Sequence, residues 1–191
     1  MLPFPFENDL TLENERVLLR PLKTEDYDLL LPFSENEPDL WEYSLIPARN
    51  PNELKIYLSR ALQEKKAKRA YPFLIIDKLS DEAAGTTRYY HINENDSCIS
   101  IGYTWIGGKF QGTGLNKSMK ALMLDFIFNK LKVERLEFRA DALNTRSIAA
   151  IKTLGAQFEG TLRSNCTKPD GKRRDTAVLS ILRSEYTQNK D

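Results

Sequence analysis

Residues 105–127 constrain the fold more than any other stretch, because two patterns meet there. WIGGKFQGTGLNKS carries Gly107, Gly108, Gly112 and Gly114, which let a backbone turn tightly and come close to a ligand. Directly after it Leu115, Met119, Leu122, Met123, Phe126 and Ile127 recur at i, i+4, i+7, i+8, i+11 and i+12, the period of a helix with one apolar face. SCISIGYTWI (97–106) reads as the strand that enters the loop. A strand, a glycine-rich loop and then a helix start aim unpaired amides and the positive end of the helix dipole at the loop, which suits a phosphate. Lys109, Lys117 and Lys120 read as mobile positive charge beside it.

The remaining segments supply layers for that unit to pack against. ERVLLR (15–20) reads as a strand, and Thr24 as the N-cap of the helix EDYDLLLPF. Asn50 and Pro51 open a second helix with Leu54, Tyr57, Leu58, Ala61 and Leu62 on one face and the solvated run EKKAKR at its end. YPFLIID (71–77), GTTRYYHI (85–92) and 97–106 are separated by turn residues and predict an antiparallel meander. Beyond the long helix come the strand RLEFRA (135–140), a short helix SIAAIKTL capped by Asn144 and closed by Gly155, and the strands AQFEGTLR and RDTAVLSILR around the polar loop SNCTKPDGKR. No repeat, linker or break in composition divides this order. It predicts one α/β (α+β) domain over residues 15–191 behind an N-terminal extension of residues 1–14, with about seven strands and about four helices.

Composition narrows the function. A chain of 191 residues, 41% hydrophobic and 29% charged, supports one globular core. Lys and Arg number 28 against 27 acids, so no bulk polyanion partner such as DNA is expected. MLPFPFENDL has no basic start followed by an apolar run, and no segment reaches the ~20 apolar residues that span a bilayer, so the expectation is a cytoplasmic protein without a membrane partner. Cys98 and Cys166 have no Cys or His at metal spacing, and no metal is expected.

QGTGLNKS (111–118) comes within two substitutions of the triphosphate-binding pattern G-x-x-x-x-G-K-S/T. Gln111 and Asn116 replace both framing glycines, and the antiparallel setting differs from the parallel sheet of such proteins.

In this order of elements the chain resembles the GNAT acetyltransferase superfamily, and within it the RimJ/RimL branch that acetylates protein N-termini and related amines. The family's phosphate-loop pattern Q/R-x-x-G-x-G/A is matched by Gln111 and Gly114, with Asn116 in the last place. N-x-x-S at the start of a helix that ends in L-G is matched by Asn144, Ser147, Leu154 and Gly155. IGYTWI resembles the family's strand before the loop and GKRRDTAVLSILRSEY its closing strand, so the similarity runs from about Glu15 to Tyr186. It implies a mixed, mostly antiparallel GNAT sheet. It also implies acetyl-CoA as co-substrate and direct attack by a primary amine in a ternary complex, the acceptor being a small amine or a protein N-terminus and the enzyme a monomer or homodimer.

By the same resemblance the strand ending near Trp105 splays from strand 135–140, with Gly102 at the bulge. The backbone N–H groups of Tyr103, Thr104, Trp105 and Ile106 are implied to bind the thioester oxygen, and Gln111, Gly112, Thr113, Gly114, Leu115, Asn116 and Lys117 the pyrophosphate. Asn144 is implied to bond the pantetheine arm and Ser147 to lie near the sulfur as a proton donor. Many members carry a carboxylate base just before I-G-Y, where this chain has Ser100. That leaves a water chain or His91, whose ordinary pKa of ~6.5 suits proton abstraction, as the base. It also leaves open an acyl-CoA-binding sensor or scaffold without turnover. The catalytic candidates are Ser147, His91 and, through its backbone, Tyr103. In SENEPDLWEYSLIP, acids surround Trp41 and Tyr43, which suits a cationic amine, so Glu37, Trp41 and Tyr43 are candidate acceptor residues, joined by Tyr90, the strand neighbour of His91.

Overall fold

The computed structural model describes residues 1–188. Eight strands form one sheet: β1 (Leu12–Glu13), β2 (Val17–Pro21), β3 (Ala70–Asp77), β4 (Glu82–Asn93), β5 (Cys98–Ile106), β6 (Arg135–Asp141), β7 (Gln157–Thr167) and β8 (Arg173–Leu182). Their spatial order is β1-β2-β3-β4-β5-β6-β8-β7. All neighbours are antiparallel except β5 and β6. The helices are α1 (Tyr27–Asn36), α2 (Pro51–Lys66), α3 (Leu115–Asp125), α4 (Thr145–Lys152) and α5 (Arg183–Gln188). The fold is therefore the mixed, mostly antiparallel α/β arrangement expected, with one more strand and one more helix. β1 pairs two residues and α5 continues directly from β8, so neither is long enough to show a period.

Local chemistry explains most boundaries. The Asn50 side chain accepts the N–H of Glu53 at 3.0 Å to start α2, and Asn144 accepts that of Ser147 at 2.9 Å to start α4. Thr24 does not cap α1. A 3-10 turn begins at Thr24 itself, and Asp26 accepts the Lys23 N–H at 2.8 Å while pairing with Arg20. The acid in the first turn takes the capping work because it also holds the guanidinium. α3 runs into a π turn at Phe126–Lys130, where Leu131 N–H bonds to Phe126 O at 3.0 Å, and Lys132 in the left-handed region at φ 59° ends it.

Helices cover both faces. On one, α2 packs on β3, and Tyr57 reaches the Thr86 hydroxyl at 2.7 Å. On the other, α3 packs across β1 and β2, and Tyr89 donates to Met123 O at 2.8 Å. Of the expected extension 1–14, Leu12 and Glu13 pair with β2 within the sheet, and the residues before them pack on it, with Phe4 buried against Tyr71, Tyr89 and Phe126 and its N–H bonded to Glu94 at 2.8 Å. An aromatic side chain so enclosed is worth about 3–5 kcal/mol against truncation to alanine.

Candidate active site

β5 and β6 pair at only three positions, Cys98 with Arg135, Ile99 with Leu136 and Ser100 with Glu137. From there β5 continues to Ile106 beside β4, and β6 continues to Asp141 beside β8. Two parallel strands that stop pairing leave a cleft that opens towards their C-terminal ends. A bulge marks the departure. Arg88 of β4 faces Gly102 and Thr86 faces Trp105, so two β5 residues stand opposite Thr87 alone, and Tyr103 takes φ 51°. The left-handed residue is thus Tyr103, one place beyond Gly102. Glycine is needed at 102 because a Cβ there would lie 2.8 Å from the Tyr90 ring. Gly107 N–H bonds to Ala84 O on the β4 side at 2.9 Å, so strand alternation turns the N–H groups of Ile106 and Thr104 towards the cleft.

The loop at the cleft mouth is held at its base. Glu37 accepts the Gly108 N–H at 2.6 Å. Gln111 donates to Ile106 O at 2.7 Å and accepts from Arg146 of α4 at 2.7 Å, joining the β5 side of the mouth to α4. The Thr113 hydroxyl donates to Phe110 O at 2.7 Å. Gly114, at φ 87°, precedes α3, and a Cβ there would meet nothing within 4 Å, so any side chain would project into the open space before the helix. The first N–H bonded back into α3 is that of Ser118, to Gly114 O at 3.0 Å, which leaves those of Asn116 and Lys117 at the free helix start. Leu115 is buried beneath them. This concavity of backbone amides fits the pyrophosphate of a coenzyme.

The charge around the loop differs from the expectation. Lys117 is exposed, but Lys109 is tied to Glu82 at 2.6 Å and Lys120 is buried. Arg146 brings positive charge that segment reading missed because it lies outside the loop, and Arg16, 3.3 Å from the Thr113 hydroxyl, is paired with Asp77. Lys120 reaches the Thr104 hydroxyl at 2.9 Å, which contacts Thr87 at 2.8 Å, and lies 6.0 Å over the Phe138 ring of β6. Its ammonium therefore sits between the diverging strands. Burial pushes its pKa down to about 7, so it exchanges a proton near neutrality. The available signal was a lysine set beside Met119 in the apolar stripe of α3.

Tyr90, Ser100 and Glu137 face one another across β4, β5 and β6. Burial, with the Tyr103 charge next, raises the Tyr90 phenol to about 12, and Tyr90 packs edge-on against Tyr103 with centroids 5.2 Å apart. Glu137, across the pairing from Ser100, is engaged by Arg135 at 3.2 Å and Arg139 at 2.6 Å. His91 is exposed in a second bulge at φ 47°, its ring 4.6 Å from that of Tyr90. Although the residue as a whole is exposed, partial desolvation of its ring, which packs on Tyr90, comes first and Arg139 second in lowering its pKa, against Glu137. Ser147 is half-buried in the first turn of α4, on the β6 side of the cleft.

Of the other expected acceptor residues, Trp41 is buried against Trp105 with ring centroids 5.2 Å apart, beneath the segment it was expected to display. Tyr43 is half-buried, its carbonyl 3.4 Å from Arg174, and Arg174 forms a buried pair with Asp141 at 3.7 Å. Among the described residues, no group of three or more His, Cys, Asp or Glu could hold a metal ion, and no helix is long and apolar enough to cross a membrane.

A parallel strand pair opened by a bulge, with a glycine loop and a helix start at its mouth, is the arrangement that the fold presents. The acetyltransferase (GNAT) domain family matches residues 16–157, and the chain belongs to this family. Membership brings N-acetyltransferase chemistry of the GNAT type, for which acetyl-CoA is the co-substrate. The chain is 29% identical over 177 residues to the uncharacterised N-acetyltransferase p20 of Bacillus licheniformis, covering 92% of this chain and 98% of that protein. A GCN5-related N-acetyltransferase from Brucella melitensis superposes with a TM-score of 0.88 at 26% identity, covering 98% of this chain and 85% of that one. A ribosomal-protein-S5-alanine acetyltransferase from Vibrio fischeri shares the fold, with a TM-score of 0.72, 20% identity and coverage of 93% and 99%.

Proposed function

We propose that this protein transfers an acetyl group from acetyl-CoA to a primary amine by direct attack in a ternary complex. The opening between β5 and β6, with the free amides of the α3 start at its mouth, carries the reading. Gln111, Gly112, Thr113, Gly114, Leu115, Asn116 and Lys117 would hold the pyrophosphate, and Asn144 the pantetheine arm. Backbone N–H groups in the segment Tyr103 to Ile106 would hold the thioester oxygen as it gains charge. The amine nitrogen forms a bond to the thioester carbon, and the carbon–sulfur bond then breaks. The amine gives up one proton and the departing thiolate takes one. Ser147 is the candidate donor, and His91 or water the acceptor.

The acceptor is a small amine or a protein N-terminus, as in the RimJ/RimL branch; the likeness of fold to the Vibrio fischeri protein supports the second. Glu37, Tyr43 and Tyr90 belong to the acceptor side of this reading, with Trp41 packed beneath them against Trp105, and residues 15–191 a single domain of a cytoplasmic monomer or homodimer. A second reading, an acyl-CoA-binding sensor or scaffold, is favoured by Ser100 where a carboxylate base is usual and by a Glu137 already held by two arginines. Mixing protein, acetyl-CoA and a panel of amines and N-terminal peptides decides between them. Free thiol released with an amine supports transfer. Calorimetric binding of acetyl-CoA with no release for any amine supports the sensor.

A further inference from the structure

Arg88 has no function in the site described so far, yet the fold buries it beside the bulge. Its residue is 2% exposed, and its Nε and Nη2 are buried without a hydrogen-bond partner. The guanidinium lies 4.0 Å over the Tyr103 ring and 5.2 Å from that of Tyr57. Tyr57 is fixed by the Thr86 hydroxyl at 2.7 Å. The charge of Glu64 on α2 reaches Arg88, but both its oxygens are already bonded by Arg69, at 2.9 and 2.7 Å. Among the described residues Arg88 enters no ion pair, whereas Arg16, Arg20, Arg69, Arg135, Arg139, Arg174 and Arg183 all do.

A buried lysine can relieve its position by losing a proton; a guanidinium cannot, and the two unpartnered donors of Arg88 match the two oxygens of a carboxylate. In the acetyl-transfer reading the coenzyme's phosphates lie at the loop, beyond the end of β5, and the thioester beside the Thr104 and Ile106 amides, whereas Arg88 pairs with Gly102 at the bulge. Resting on the acetyl-transfer reading, we propose that Arg88 binds a carboxylate carried by the acceptor, so that the substrates are amines bearing an acid group. Tyr103, 38% exposed, is the outer of the two rings, and its side chain must turn for the carboxylate to reach the guanidinium. The acid belongs either to a free amino acid or to an acidic residue next to a peptide N-terminus.

Matched substrates test this. Thiol release is measured as kcat/KM for amino acids against their amides, and for peptide amides with Asp against Asn in second place. The acid is expected to be preferred on the order of tenfold or more by wild type, the ratio falling to about one in Arg88→Met and staying above one in Arg88→Lys. Whichever pair shows the preference names the source of the acid. A ratio near one for both pairs in wild type, or one unchanged in Arg88→Met, overturns the proposal. Should Arg88→Met fail to fold, Arg88→Gln reads the same ratio. If wild type turns over no amine, acetyl transfer itself has failed and the site is tested without turnover, by calorimetric titration with N-acetyl amino acids and their amides. Binding of the acid that Arg88→Met or Arg88→Gln loses upholds the carboxylate site; equal affinity for acid and amide overturns it.

Discussion

His91 is the side chain on which the proton path turns. Lowered by partial desolvation of the ring and by Arg139, its pKa favours the neutral imidazole, which can accept a proton. Its place argues against direct contact. Its neighbour Tyr90 pairs with Ser100, and Ser100 is four residues, or about 13 Å of strand, before Thr104, whose N–H faces the cleft. His91→Ala is therefore expected to leave kcat within a few-fold, with the acidic limb of kcat/KM following the substrate's own pKa. Profiles with two amines of different basicity check it, because only a substrate-controlled limb moves with the amine. A loss of about 10²-fold, with the limb gone from near neutrality, would make His91 the base. Lys120 and Arg88 complete the residue-scale picture. Both are ordinary letters in the sequence, and their chemistry comes from what packs over them, Phe138 for one and Tyr57 with Tyr103 for the other.

At the scale of elements, the start of α3 and the start of α4 make the two sides of the cleft mouth, linked by Gln111 and Arg146. Gly114→Glu puts a side chain and a negative charge into the amide concavity, and is expected to abolish acetyl-CoA binding in calorimetry while the thermal unfolding transition stays cooperative. Unchanged affinity would remove the loop from the site. Asn144→Ala loses the bond to the Ser147 N–H and is expected to cost roughly 1 kcal/mol in urea unfolding, with weaker coenzyme binding besides. A stability loss alone leaves Asn144 a cap. These two starts were legible because caps and glycines act on their immediate neighbours. So were β3 to β8, whose patterns and turn residues are local. The bulge was legible only to within a residue, since its position depends on which β5 residue faces Arg88 and on the Tyr90 ring that excludes a Cβ at 102. Trp41 was misjudged as an acceptor residue for a related reason: its segment is acidic, but the ring is buried by Trp105 from a distant strand.

The whole molecule registers the buried lysine in its stability against pH. Free in the unfolded chain, Lys120 titrates at its ordinary 10.5; folded, burial holds it near 7. Between those values the unfolded state binds a proton that the folded state lacks, so stability rises with pH, by at most about 1.4 kcal/mol per unit from this group. The contribution is complete above 10.5 and lost as pH falls through 7. Tyr71, Tyr89 and Tyr90 act in the opposite sense, because burial raises their phenols and the folded state resists ionising them, so stability falls above about pH 10. The window for Lys120 is therefore pH 7 to 9, where those phenols stay neutral in both states. Lys120→Met fills the same space between β5 and β6 without a proton to lose. Urea midpoints measured at pH 7, 8 and 9 are expected to climb for wild type relative to Lys120→Met, which should be the more stable of the two at pH 7, the difference shrinking as pH rises. Parallel lines for the two proteins would mean that water reaches the Lys120 ammonium in the cleft and that its proton is not available near neutrality.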